Sequence, residues 1–241
     1  MKAILSEGFS SILLGVLLVS SLNKIEQKSN QEIKETKDLV RDGITQYEEE
    51  KETLYLELRK EFENDLSRWG ADLDKDSLSI RFTIVDETSP RVMFGAGSAT
   101  PTEYYRDLIR DFCPRYYGVL KQHAREKFVE EIKVEGHTSS DWSGGVGGEK
   151  AYYANLELSQ GRAGSILSLC LSSIQESGGV EFSNSDFSLF RSKMTANGYS
   201  SSRLLKGEDG MENTLLSRRV EFRVLTSADN QLKNISKSLH D

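Results

Sequence analysis

Histidine, cysteine and proline are scarce in this chain, and each scarcity closes a route. Its 241 residues hold three histidines, two cysteines and three prolines. His123, His137 and His240 are too scattered for a metal-binding pattern, and Cys113 and Cys170 stand at no ligand spacing. No metal and no other cofactor is therefore expected. Both cysteines read as buried thiols on helices, since free cysteine behaves as a small hydrophobe. A disulfide in an oxidising compartment stays open as the alternative. No nucleophile is paired with a histidine at a recognisable spacing. The GGVGG run lacks both a feeding strand and the lysine–serine pair of a phosphate loop, so an enzyme is not expected. The net charge of −7 argues against nucleic acid as a partner.

Long hydrophobic runs are also few. Hydrophobic residues make up 37% and charged residues 29%, which leaves room for one domain plus a long solvated helix. The apolar run 12–19 is shorter than the about 20 residues that a bilayer core takes. Counting residues 4–22 reaches that length, but takes Glu7 and several serines into the span. Residues 1–22 are read as one uncleaved transmembrane anchor, because a charged, helix-compatible segment follows directly. A signal peptide cleaved near Ser20 and Ser21 is the rival. Lys2 before the span and Lys24 and Lys28 after it leave the orientation open. Carboxylates at membrane depth are costly and commonly carry ions or protons, which makes Glu7 a candidate. The competing reading leaves Glu7 solvated among headgroups.

Residues 23–69 contain no proline, one glycine (Gly43) and dense Glu and Lys. Ile33, Val40, Tyr47 and Leu54 fall seven apart, Ile44 and Leu58 follow two of them by four, and Phe62, Leu66 and Trp69 continue the stripe. This predicts a helical spacer that pairs with a second copy as a coiled coil. Extended, at ~1.5 Å per residue, it would reach on the order of 70 Å. The alternative is a helix folded back onto the domain.

Residues 70–227 read as the folded domain, and 228–241 as a loose polar tail. Strands are predicted at 78–85, 127–135 and 219–225 from their alternation. Thr102 is a plausible N-cap for a helix over 103–112, which Pro114 would break or bend before a second run to 127. A further helix begins after Ser159 and ends at Gly178–Gly179. A short one covers 185–196. The sum is a small α/β (α+β) sandwich of βαβαβ order, with its two main helices on one face.

The most informative stretch is 132–163. IKVEGHTSS is a strand that breaks at Gly136, and NLELSQGRA places Ser159 before an apolar helical pattern with Arg162 in its first turn. A strand end beside a helix start suits an anion, and an arginine there can grip a carboxylate.

GHT after a strand, N-x-x-L-S-x-x-R-A opening a helix, and SRRVEFRV in the last strand together resemble the OmpA-like peptidoglycan-binding domain, over roughly 78–226. The build of the chain resembles the membrane-anchored, MotB-type branch. EGHTSSDW and NGYSSSRL are similar to the branch found in Zorya anti-phage systems. The resemblance implies an inner-membrane, single-pass stator subunit with its C-terminal domain in the periplasm, beside a MotA-like polytopic subunit. It also implies an ion path at Glu7, near the place where MotB-type subunits carry an aspartate. A passive OmpA-like wall anchor without ion flow is the alternative.

The ligand so implied is the diaminopimelate of peptidoglycan, its carboxylate on Arg162 beside Asn155, Leu158, Ser159 and Thr138. The family aspartate that meets the ammonium follows GHT directly. Here that residue is Ser139, and Asp141 is the candidate substitute. Trp142 either packs over the ligand or caps a loop that is longer than usual. Arg218 and Arg219 are read as charged flanks of an edge strand or as buttresses of the pocket, and His137 as structural.

Overall fold

The computed structural model describes residues 4–83, 91–142, 148–178 and 183–227, with the backbone alone for 4–19 and Leu39. The expected tail and the Glu7 side chain lie outside the described residues. The chain divides into two compact units, residues 1–49 and 50–241.

The first unit is helical and belongs to α1 (Ile4–Trp69). Its helicity follows from the lack of proline and from i,i+4 pairs such as Lys28–Glu32 and Gln31–Glu35. Ile25, Ile33 and Val40 stay 65%, 49% and 45% exposed along it. Among the described residues, no helix is long and apolar enough to cross a membrane.

The second unit opens on the last turns of α1, where Leu54, Leu58 and Phe62 are fully buried. Leu54, Leu58, Phe62 and Trp69 of the stripe read as a coiled-coil seam are therefore domain core. Phe62 packs 5.0 Å from Phe112. Arg115 clamps this end of α1, donating to Glu61 at 2.6 Å and Asp65 at 2.8 Å while lying over the Phe62 and Trp69 rings. Gly70 ends α1 with φ 64°, a conformation that glycine adopts without steric cost.

Next come β1 (Ala71–Asp74), β2 (Ser79–Thr83), α2 (Glu103–Arg125), β3 (Val129–His137) and α3 (Gly148–Ser177). The chain continues with α4 (Asn184–Ser192), β4 (Met194–Gly198), α5 (Thr214–Ser217) and β5 (Arg219–Thr226). The five strands lie in the order β1-β2-β5-β3-β4, antiparallel except for β3 with β4. Alternation sends Ile80, Phe82, Ile132, Val134, Phe222 and Val224 to the buried face under the helices. At roughly 25 cal/mol per Å² of apolar surface removed from water, this face is what holds the sandwich together.

Several expectations are corrected. α2 runs unbroken through Pro114. The carbonyl that Pro114 deprives of a partner belongs to exposed Arg110, so water can satisfy it while both halves stay packed on the core. α3 starts at Gly148, well before Ser159, so Arg162 lies inside a helix and not in its first turn. Ala151, Ala154, Leu156, Glu157 and Leu158 are good helix formers, and Gly148, with φ 64°, marks the start. Residues 194–196, assigned to a helix, lie in β4, because the edge of β3 offers a parallel partner. β5 is the central strand and not an edge. The two cysteines are fully buried on helices, but they form a disulfide that joins α2 to α3.

Candidate functional site

α3 lies on the sheet more closely than side chains would allow. Gly136 of β3 and Gly198 of β4 are register partners. A Cβ on Gly136 would stand 2.2 Å from the Ser159 carbonyl oxygen, and one on Gly198 would stand 2.4 Å from the Gln160 nitrogen. Ser159 is buried in this contact. Its hydroxyl donates to the Leu156 carbonyl at 3.0 Å and accepts from the Ser200 N–H at 3.0 Å. Ser159 thus holds helix to sheet and does not line the cavity beside it.

That cavity, of about 620 Å³, opens where β3 ends. Asn155, Leu158 and Arg162 form one wall from a single face of α3, at spacings of three and four. Thr138, Ser139, Asp141 and Trp142 form the second, and Phe94 with Gly95–Gly97 the third. Arg218 enters from the residue before β5. Of the residues expected in the site, Arg162, Asn155, Thr138, Ser139 and Asp141 are brought together here.

Each wall is held by bonds that can be traced. The Asn155 side-chain amide donates to the main-chain oxygens of Ser139 (3.3 Å) and Asp141 (3.1 Å), which fixes the loop against α3. Glu212 holds the same loop from the far side, accepting from the Ser140 N–H at 2.9 Å and from its hydroxyl. Arg162 donates through Nε to the Ser98 carbonyl at 2.9 Å and through Nη2 to the Gly95 carbonyl at 3.3 Å. Its guanidinium lies 4.8 Å over the Phe94 ring. Arg218 donates through Nε to the Ser139 hydroxyl at 3.0 Å and stands 3.9 Å from the Asp141 carboxylate. The Thr138 hydroxyl is buried without a partner among the described residues.

The electrostatics ask for an anion. Burial, and then the neighbouring Arg218, lower the Arg162 pKa to about 10. Among the described residues no carboxylate pairs with Arg162, so a bound anion would offset both the cost of burying its charge and the repulsion from Arg218. The chemistry is that of a carboxylate receptor, with two guanidiniums and nearby hydroxyls.

Behind the cavity, on the sheet face opposite the helices, lies a second cluster. Glu135 and Glu221 sit directly opposite one another on β3 and β5, and the ligand atoms of Glu135, His137 and Glu221 all lie within 4.8 Å. Sequence spacing hid this grouping, which strand pairing creates. Four arginines already neutralise it. Glu221 pairs with Arg219 at 2.5 Å, Arg223 at 2.9 Å and Arg81 at 3.2 Å, and Glu135 with Arg223 at 3.3 Å and Arg203 at 3.4 Å. That excess of positive charge makes the cluster a poor cation site. Burial raises the Glu221 carboxyl, but Arg219, His137 and Arg81 outweigh it and bring the pKa down to about 2. His137 stacks 5.1 Å from Tyr199, and burial lowers its pKa despite the nearby Glu135.

No family model matches the chain. The Zorya protein ZorB of Escherichia coli is 34% identical to it over 199 residues, covering 83% of this chain and 79% of that protein. Among solved structures, a putative MotB like protein from Desulfovibrio vulgaris aligns with a TM-score of 0.46 and 21% identity, covering 74% of this chain and 93% of that one. The cell wall anchor of the T6SS from Pseudomonas aeruginosa aligns at 0.45 and 18% identity, covering 70% of this chain and 97% of that one.

Proposed function

The chain belongs to the family of the Zorya protein ZorB, and from that membership we propose that it is a MotB-like stator subunit that fixes an anti-phage motor complex to peptidoglycan. The observation that carries the wall-binding part is the Arg162–Arg218 pair, facing an open cavity with no carboxylate paired to Arg162 among the described residues. In this reading, a stem-peptide carboxylate of diaminopimelate docks on Arg162. Asn155 keeps the opposing loop in place, and Thr138 and Ser139 offer hydroxyls. The buried Cys113–Cys170 disulfide favours an oxidising compartment, which agrees with a periplasmic domain.

The proposal extends to the first unit. Residues 1–22 form a single-pass anchor in the inner membrane, beside a MotA-like (ZorA-like) polytopic subunit. Glu7 serves that pair as a proton carrier. Two copies of the chain associate along the apolar positions Ile25, Ile33 and Val40, which are exposed in one chain.

The deciding experiment is co-sedimentation of the full-length protein with purified sacculi. Arg162→Ala is expected to weaken binding at least tenfold while the melting temperature stays within about 2 °C, since among the described residues its side-chain hydrogen bonds go to loop carbonyls and it is tied to no carboxylate. Unchanged binding would defeat the wall-binding reading. Glu7→Gln separates motor from anchor. Loss of phage protection with wall binding intact supports the stator, and full protection supports a passive anchor.

A further inference from the structure

We propose that this pocket reads the carboxylate of its ligand and not the amine beside it, so that it accepts amino-acid ends whose nitrogen is already acylated as readily as free ones. The inference rests on the wall-binding reading above and specifies the ligand of that site.

Three observations carry it. The first is the state of Ser139. Its oxygen already accepts from Arg218 Nε at 3.0 Å. One lone pair is thereby taken by a cation that would repel an ammonium at the second, while the hydroxyl hydrogen, turned away from Arg218, is free to donate to a carboxylate. The second is the position of Asp141, the one carboxylate lining the cavity among the described residues. Its Oδ2 faces Arg218 Nη2 at 3.9 Å and its side chain is 67% exposed, so the charge is shared with an arginine and screened by water. The third is the balance of charge. Arg162 and Arg218 both line the cavity, and an ammonium entering it would be repelled by two guanidiniums, whereas a carboxylate is attracted by both. The Thr138 hydroxyl, buried without a partner among the described residues, adds a further donor for an acid oxygen.

The consequence concerns which parts of the wall polymer can be held. Cross-linking converts a side-chain amine of the peptide into an amide. A pocket that depends on the ammonium would be confined to uncross-linked strands, whereas one that depends on the carboxylate also holds where strands are joined. A cavity of about 620 Å³ has room for an acyl group.

The test uses full-length protein in detergent, titrated by ligand-observed NMR with diaminopimelate, its N,N′-diacetyl derivative and its dicarboxamide. The diacetyl compound is expected to bind within fivefold of diaminopimelate, and the dicarboxamide more than fivefold more weakly. A loss of more than fivefold on acetylation overturns the proposal, because the ammonium is then being read. A dicarboxamide that binds within fivefold also overturns it, because the carboxylate is then not read. If none of the three binds but sacculi are still retained through Arg162, this proposal falls and the wall-binding reading stands. If sacculi are not retained either, both fall.

Discussion

Gly136 and Gly198 show at the scale of single residues why glycine is needed at both positions. Neither has a positive φ, so the constraint is one of space and not of backbone conformation. The atoms a Cβ would meet are the Ser159 carbonyl oxygen and the Gln160 nitrogen, which are main-chain atoms of α3 and cannot rotate away. Gly136→Ala is therefore expected to lift α3 from the sheet at a cost of about 1–3 kcal/mol. Arg162 stands less than one turn beyond Ser159, so the same change should weaken sacculus binding. A melt together with co-sedimentation checks both, and a melting temperature equal to that of the wild type would show that the contact can relax.

Between elements, the strongest tie is covalent. The Cys113–Cys170 bond joins α2 to α3 across 57 residues of sequence, and α3 carries Asn155 and Arg162. Both sulfurs are fully buried. The double variant Cys113→Ser, Cys170→Ser is expected to lose about 2–4 kcal/mol of stability, as is typical when a bridge constrains the unfolded chain. Urea titration of the variant and the parent measures the difference. Thiol labelling of the denatured, unreduced protein should find no reactive cysteine, and two labelled thiols per chain would contradict the bridge.

For the molecule as a whole, the buried ladder on the outer sheet face sets the response to pH. Glu221 has a folded pKa of about 2 against an ordinary value of 4.5, so its stabilisation is present above 4.5 and is lost as pH falls toward 2. Glu135 is shifted down as well, with the same sign. The His137 pKa is also lowered from 6.5, so the unfolded chain takes up that proton before the folded one does. This too makes stability fall as pH drops below about 6.5. All three groups act in one direction. Denaturation at pH 7, 5 and 3 should show a monotonic loss, with Glu221 alone accounting for on the order of 2 kcal/mol by pH 3. Equal stability at pH 7 and pH 3 would mean that the ladder carries no net energy.

The primary structure by itself determined what depends on local periodicity and on single turn residues. The alternation in β2, β3 and β5, the Thr102 cap that accepts from Tyr105 N–H, and the stop at Gly70 are local in this sense. The spacing of Asn155, Leu158 and Arg162 puts them on one face only once α3 is seen to start at Gly148, since the sequence by itself starts that helix after Ser159. Only the tertiary structure decided what depends on a distant partner. β4 (MTANG) has little strand character and exists because β3 offers it an edge. Arg218 reaches Ser139 across 79 residues of sequence, a distance at which spacing carries no signal. The same holds for the cysteines, whose patterns around each helix indicate burial without saying that the two sulfurs meet. Local rules act over a few residues, and these contacts are closed by the packing of the sheet and its helices.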